Sequence, residues 1–526
     1  MDSTMHTDVL IVGAGPTGLM LANQLARRGV RAWIIDRRAA PALQSRALGV
    51  HARTLEIYAQ LGIVEAALDL GKRARAVNLW ASGELGARVP LGDIGQDLSP
   101  YPFVLILGQD DNERLLGDAL RRCGVTVQWH TELVALQQQP HGVRATLEQA
   151  DGRRIELQAS WVAGCDGAHS AVRSRNGIAF EGATYEHVYF VADVQAHGPM
   201  VADELNIYFW RDGFHLFFPM RGSAHWRIVG IVPAALRERS DLAFEQLIPS
   251  VRDEVGGGLA IASCSWFSTY RNDHRRAEHF RQGRCFVLGD AAHVHSPVGA
   301  QGMNTGLQDA TNLGWKLAWV VAGDADQALL DSFEAERVPV AQRLLHSTDR
   351  AFSLVVSDRW AAGLMRTRLL AKLVAFAMRS ERVRQLAFRT VSQIGISYYG
   401  SPLAQNLSGV QADAPRAGDR FPWLRLRLRP DGPIEDLFRA FSDLQMHLLL
   451  FGQAAPAGDE FAAPGGLRVH AVPADADNAA ELRRAKIAAP SFYLLRPDGH
   501  VGLAGGLLEP GVVARYLSER LHLQPR

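Results

Sequence analysis

The stretch that most constrains this chain lies near its start. Residues 8–12 form a short β-branched run that leads straight into Gly13-Ala14-Gly15-Pro16-Thr17-Gly18, and helical patterning continues over 18–28. A second strand pattern, 32–35, ends at Asp36. Together these make a β-α-β unit of roughly thirty residues. Gly13 permits the tight turn, Gly15 lets the backbone approach a pyrophosphate, and Gly18 lets helix and strand pack closely. The helix N-terminus offers amides and a partial positive charge to phosphates. Asp36, followed by Arg37, stands where a carboxylate can hold an adenosine ribose hydroxyl. The unit predicts dinucleotide binding, with NAD and FAD both open at this point.

The 526 residues leave room for several domains. Helical periodicity returns over 54–62 and 112–123. Runs at 125–129, 132–137, 143–148 and 154–157 read as meander strands turning at His141-Gly142 and Asp151-Gly152, and 161–164 as another buried strand ending at Cys165-Asp166-Gly167. Beyond residue 185 the pattern is strand-rich and aromatic. Strands over 205–210 and 214–220 flank the hairpin signal Arg211-Asp212-Gly213, and 226–232 gives a third. Nucleotide-fold patterning resumes at 285–288, and a long helix starts near Asn304. The strand-rich block is therefore expected to be an insertion within one nucleotide-binding domain. Residues 340–400 read as helical, and a separate α/β segment begins at Phe421-Pro422-Trp423. The expected division is α/β throughout: 1–184 and 276–400 for the nucleotide-binding fold and its helical region, 185–275 for an inserted β-sheet domain, and 411–526 for a C-terminal unit.

Charge and cysteine usage narrow the class. The formal net charge is +1, which gives no bulk attraction to nucleic acid or an anionic membrane. The Arg-dense run 424–429 alternates with Leu and reads as a strand with one solvated face. Cys123, Cys165, Cys264 and Cys285 are widely spaced with no CxxC pair, so neither a zinc ribbon nor a disulfide framework is expected, and a cytoplasmic setting fits. The polar start carries no signal-peptide pattern, and the apolar run 313–322 is too short to span a bilayer.

A second glycine-rich site separates the cofactors. The strand at 285–288 leads to Gly289-Asp290-Ala291-Ala292-His293 and then Pro297-Val298-Gly299-Ala300-Gln301-Gly302-Met303-Asn304. A strand-terminal Asp290 can bind a ribityl hydroxyl. The following glycines expose amides at a helix start, suited to the flavin pyrimidine edge, where negative charge gathers on reduction. That points to FAD. A third block, Gly164-Cys165-Asp166-Gly167-Ala168-His169-Ser170-Ala171-Val172-Arg173, taken alone fits either a cofactor-binding turn or an ordinary strand-turn-helix with Ser170 near the cap. His293 and His295 lack an acidic or cysteine partner that would complete a metal site, so no metal is expected.

In chain order the three blocks resemble the GxGxxG, DG and GD motifs of the single-component FAD-dependent aromatic hydroxylases, the family of p-hydroxybenzoate hydroxylase and phenol hydroxylase. The resemblance covers roughly residues 8–350 and extends to Ser45-Arg46-Ala47-Leu48-Gly49 and Gln109. It implies a glutathione-reductase-like Rossmann FAD domain with an inserted β-sheet substrate domain. The cofactor set it implies is Gly13, Gly15, Gly18, Asp36, Arg37, Arg46, Gln109, Asp166, Asp290, Gly302, Met303 and Asn304. NADPH or NADH would reduce FAD, and dioxygen would add to the reduced flavin. The flavin C4a-hydroperoxide would then deliver oxygen to a phenolic or polycyclic ring. Baeyer–Villiger or antibiotic-inactivating oxygenation on the same fold is the alternative. No second fingerprint is present, since Gly256-Gly257-Gly258 is not strand-led, and this matches hydroxylases that bind nicotinamide transiently. Tyr208 and Pro297 are the catalytic candidates. Tyr208 precedes the hairpin turn near the position of the family's phenol-activating tyrosine, although an aromatic packing role is equally open to it. Tyr398 and Tyr399 are reserves. Phe217-Phe218-Pro219-Met220 replaces a polar, arginine-bearing stretch that grips benzoate, which favours a larger or carboxylate-free phenol. Residues 411–526 resemble the family's thioredoxin-like appendage. With no cysteine after Cys285, disulfide exchange is impossible there, leaving a structural or homodimer-forming role.

Overall fold

The computed structural model describes residues 5–42, 47–210, 213–239, 241–295, 300–356, 370–456, 463 and 466–524. The chain opens with strand β1 (Met5–Val12), helix α1 (Pro16–Ala26) and strand β2 (Ala32–Ile35). A hairpin follows, β3 (Ala76–Ala81) and β4 (Glu84–Pro90), then helix α2 (Gln109–Arg122). A meander of β5 (Thr131–Gln139), β6 (Gly142–Gln149) and β7 (Arg154–Gly164) returns the chain beside β1. The long β8 (Phe180–His197), β9 (Leu205–Trp210), β10 (Gly213–Pro219), β11 (His225–Ile231), helix α3 (Phe244–Val255) and β12 (Ala260–Ala277) come next. Strand β13 (Cys285–Val287) and helix α4 (Gly302–Val321) then lead to α5 (Asp331–Val356).

The parallel part of the nucleotide-binding sheet runs β13-β7-β1-β2, with β6 and β5 added antiparallel beside β7. Val9, Leu10 and Ile11 are wholly buried, as a parallel strand covered on both faces requires. α1 and α4 share this core through Leu21, Leu25, Leu307, Leu313 and Leu317. An eight-stranded sheet carries the order β12-β8-β11-β10-β9-β3-β4 and ends at a two-residue strand, His293–Val294, beside β12. α3 covers one face of it with Phe244, Leu247, Val251 and Val255. In the C-terminal module, β14 (Met446–Phe451), β15 (Leu467–Val472), β16 (Ser491–Leu495) and β17 (Val501–Gly505) order as β17-β16-β14-β15. Alternation splits its core. Leu448, Leu450, Phe492 and Leu494 pack on Trp315 and Trp319 of α4, while Leu449, Phe451, Tyr493 and Leu495 pack on Phe421, Leu424 and Leu426.

The structure departs from the sequence expectation in three places. Residues 125–129 are not a strand; Gln128 alone bridges Ile35 at the sheet margin. The runs at 154–157 and 161–164 are one eleven-residue strand, β7. The inserted sheet also reaches outside 185–275, because β3 pairs in parallel with β9, setting Trp80 beside Tyr208. Among the described residues, no helix is long and apolar enough to cross a membrane.

Candidate active site

The first motif is held by close backbone contact. Gly13 takes a φ of +102°, and a Cβ there would sit 2.3 Å from the Cys165 carbonyl oxygen. A Cβ on Gly18 would lie 1.9 Å from the Gly13 carbonyl oxygen, so Gly18 supports the packing of helix on strand and not the cavity wall. A Cβ on Gly15 would meet nothing within 4 Å, and Gly15 opens onto a cavity of about 960 Å³. That volume lies near the top of the range of about 300–1,000 Å³ usual for ligand sites.

Asp36 accepts the Ala14 N–H at 2.7 Å and the Arg38 N–H at 2.8 Å, and pairs with the Arg38 guanidinium at 3.1 Å. Burial opposes the charge of Arg38, but hydrogen bonding and attraction to Asp36 and Glu113 together outweigh this and raise its pKa. Arg38 also reaches Glu113, which accepts the Ala42 N–H at 2.9 Å and the Gln109 side-chain amide at 2.9 Å. The cavity is thus lined at this end by Asp36, Arg37, Arg38, Gln109 and Glu113. Sequence reasoning missed Arg38 and Glu113. Arg38 lies two residues after Asp36 and could have been suspected, whereas its partnership with Glu113 spans 75 positions.

At the other end stand Asp166, Asp290, Ala300, Gly302 and Met303. Asp166 accepts the Ala171 and Val172 N–H groups on one oxygen, while its second oxygen is buried without a partner among the described residues. Burial raises its pKa. Asp290 projects into the cavity, and its sunken position likewise raises its pKa, opposed by nearby His293. Ala300 adopts a φ of +51°, the left-handed conformation for which glycine is suited. Asn304 is corrected in role. It is wholly buried and does not line the cavity. Its amide donates to the Gly49 and Ala300 carbonyls and its oxygen accepts the His51 N–H, which ties two loops together. Arg46 and Pro297 lie outside the described residues. His293 donates to Asp309 at 2.7 Å, and Asp309 is bound by Arg337 at 2.6 Å. Among the described residues no group of three or more His, Cys, Asp or Glu could hold a metal ion.

The third wall is the face of the inserted sheet opposite α3, with Leu216, Phe218, Val229, Tyr270, Arg271 and Asp273. Tyr270 stacks on Tyr189 with ring centroids 5.6 Å apart. Tyr208 is not there. The β9–β10 register sets Tyr208 opposite His215 and Ile207 opposite Leu216, so the Tyr208 side chain shares a face with His215, away from the cavity. It stacks on Trp80 at 5.2 Å and meets Phe217 edge-on at 5.4 Å, inside the core beneath α3. Among the described residues its hydroxyl has no hydrogen-bond partner, and burial raises its pKa. The expected phenol-activating group is therefore a packing residue in this fold. Tyr398 is also buried, bound to Arg337, and Tyr399 is exposed; neither lines the cavity. A second cleft, of about 1170 Å³, opens between α1, α4 and the C-terminal module, but none of the three motifs reaches it.

An FAD molecule suits these walls: a close-approach glycine at a helix start, carboxylates for hydroxyl groups, and amides at the start of α4. The buried, unpartnered oxygen of Asp166 is the kind of acceptor a cofactor hydroxyl satisfies. Comparison with known proteins agrees. A family described as an FAD binding domain matches residues 6–348. A 6-methylpretetramide 4-monooxygenase of Streptomyces rimosus is 34% identical over 528 aligned residues, covering 98% of this chain and 94% of that one. A pentachlorophenol 4-monooxygenase of Sphingobium chlorophenolicum is 36% identical over 355 residues, 66% of this chain and 65% of that one. The solved structure of an anhydrotetracycline hydroxylase of Streptomyces rimosus superposes with a TM-score of 0.79 at 28% identity, over 99% of this chain and all of that one. With motifs, architecture and relatives in agreement, the chain belongs to the single-component FAD-dependent aromatic hydroxylases and is a flavoprotein monooxygenase.

Proposed function

We propose that the protein hydroxylates a phenolic or polycyclic aromatic substrate, consuming NAD(P)H and O2. One observation carries this reading: the FAD-site residues Asp290, Gly302 and Met303 and the apolar face of Leu216, Phe218, Val229 and Tyr270 bound a single cavity. A flat ring entering along that face is brought towards the flavin site. Relatives named for 6-methylpretetramide and pentachlorophenol support the substrate class.

Bound FAD would supply the redox chemistry, taking a hydride from NAD(P)H and using O2 so that one oxygen atom enters the ring and the other leaves as water. The chain's residues bind and position. Gly15 and the α1 N-terminus receive the pyrophosphate, Asp36 with Arg38 the adenosine ribose, and Asp290 the ribityl chain. The N-terminal amides of α4 offer partial positive charge beside the ring edge that becomes negative on reduction. Tyr270 gives the substrate a stacking face and a hydroxyl that can hydrogen-bond a phenol. Leu216, Phe218 and Val229 exclude water.

A panel of phenols and polycyclic phenols, assayed for stimulated NAD(P)H oxidation with product mass and connectivity, tests this. Ring hydroxylation is the expected outcome. Oxygen inserted between ring carbons would instead support the Baeyer–Villiger alternative, and unstimulated NAD(P)H oxidation across the panel would overturn the assignment.

A further inference from the structure

α4 joins the cofactor cavity to the C-terminal module. Its first residues, Gly302 and Met303, line the cavity, and its far half buries Trp315 and Trp319 in the module's core. At about 1.5 Å per residue this one helix spans roughly 30 Å. Alongside it runs a continuous set of buried hydrogen bonds, ion pairs and ring contacts.

At the cavity end, Asp309 accepts the Gly289 N–H at 3.1 Å and His293 at 2.7 Å on one oxygen, and Arg337 at 2.6 Å on the other. Gly289 immediately precedes Asp290. Arg337 donates onward to the Tyr398 hydroxyl at 3.1 Å and the Thr305 carbonyl at 3.2 Å. The Tyr398 ring stacks on His500 at 4.2 Å and lies 5.4 Å from the Arg496 guanidinium. Arg496, in the turn after β16, grips Glu336 of α5 with two bonds, 2.6 and 3.0 Å, and also binds Asp498. Lys316 of α4 closes the set on Glu336 at 2.7 Å. Three cations (Lys316, Arg337, Arg496) meet three carboxylates (Asp309, Glu336, Asp498), and five of these six side chains are wholly inaccessible.

Such a set is a poor way to gain stability alone, because apolar residues of similar volume in its place are often as stabilising or more so. It is a good way to fix direction. Guanidinium forks accept their partners in one geometry, and this series ends on a backbone N–H next to the carboxylate that faces the cofactor.

We propose that the C-terminal module belongs to the flavin-holding machinery: Arg496 and Tyr398 are positioning residues that, through Arg337 and Asp309, hold the Gly289–Asp290 turn against bound FAD. The module's role here is to brace the cofactor site.

The test uses the full-length, FAD-loaded protein with Tyr398→Phe, Arg496→Lys, Asp309→Asn and the Tyr398→Phe/Asp309→Asn pair. Flavin fluorescence gives the FAD Kd, and the reduction potential of bound FAD is read beside it. Tyr398→Phe keeps the ring on His500 and deletes one hydrogen bond, so it should raise the FAD Kd about three- to tenfold and shift the potential. Arg496→Lys should act in the same direction. The double variant should be no weaker for FAD than Asp309→Asn alone, since both act along one series. Unchanged Kd and potential in Tyr398→Phe, with only the melting temperature lowered, would overturn the proposal, as would additive losses in the pair. If Arg496→Lys does not fold, Tyr398→Phe decides the matter by itself.

Discussion

Asp290 and Tyr270 enter the cavity from different walls, and their substitutions separate cofactor retention from substrate handling. Asp290→Ala removes the carboxylate expected to accept from the ribityl chain. Loss of a charge-assisted hydrogen bond is worth about 1.5–3 kcal/mol, so FAD should bind roughly tenfold or more weakly in a folded protein. Equilibrium dialysis against FAD checks this. Tyr270→Phe should leave FAD content intact but lower the yield of hydroxylated product per NAD(P)H consumed by about tenfold or more. Tyr208→Phe makes the opposite prediction. Its hydroxyl has no partner among the described residues and sits in the core beneath α3, so the variant should keep full product yield and be as stable as the parent or slightly more so. A loss of product yield in Tyr208→Phe with Tyr270→Phe unaffected would reverse the two roles. The glycines and acids of the three motifs were legible because their tasks are local. The facing of Tyr208 follows from the β9–β10 register: with Trp210 opposite Gly213, 208 meets 215, leaving Tyr208 on the face opposite Phe218. Tyr270 carried no such local signal, because its side of the sheet depends on the bulged pairing of β12 with β8.

Among elements, the approach of α4 to α1 depends on two glycines. A Cβ on Gly306 would lie 2.4 Å from the Thr17 hydroxyl and 3.1 Å from the Gly289 Cα, and one on Gly314 2.6 Å from the Gln24 Cβ. Gly306→Ala raises helix propensity by about 1 kcal/mol, yet overpacking costs about 1–3 kcal/mol. The variant is therefore expected to be no more stable than the parent and to hold FAD less tightly, because the displaced contact is Gly289. A thermal melt with and without added FAD reads both effects. The inserted sheet carries a pH dependence of its own. His215 on β10 is wholly buried, neither ring nitrogen has a partner among the described residues, and burial pushes its pKa down to about 3. Unfolded, it titrates near 6.5. Between these values the unfolded chain binds the extra proton, so stability falls as pH drops through this window, by at most about 1.4 kcal/mol per pH unit. His215→Leu should lose that part of the slope in denaturation midpoints compared at pH 7 and pH 5; an unchanged slope would contradict it. The β1-α1-β2 unit was readable because sequence neighbours build it. The joining of β3 to β9 was not, since strands more than a hundred residues apart share no periodic signal. Residues 125–129 have strand-like composition but gain only one bridge, at Gln128, which no local propensity reveals.

For the whole molecule, charge pairs join the C-terminal module to the nucleotide-binding fold. Besides the Arg496–Glu336 pair, Arg420 of the C-terminal segment binds Glu56, and Arg27 of the first helix's end binds Asp443 at 2.6 Å. These contacts hold the module against the nucleotide-binding fold, whose cofactor-side residues share one cavity with the inserted sheet. The central claim is that this site transfers an atom of dioxygen to an aromatic ring. Its most direct test is turnover under 18O2 in unlabelled water with a phenol that stimulates NAD(P)H oxidation, followed by mass analysis of the product. The account predicts one 18O atom per product molecule, carried as a ring hydroxyl, for each NAD(P)H consumed in coupled turnover. Product bearing only solvent oxygen, or NAD(P)H consumption that returns all the label as peroxide with every phenol tried, would contradict it.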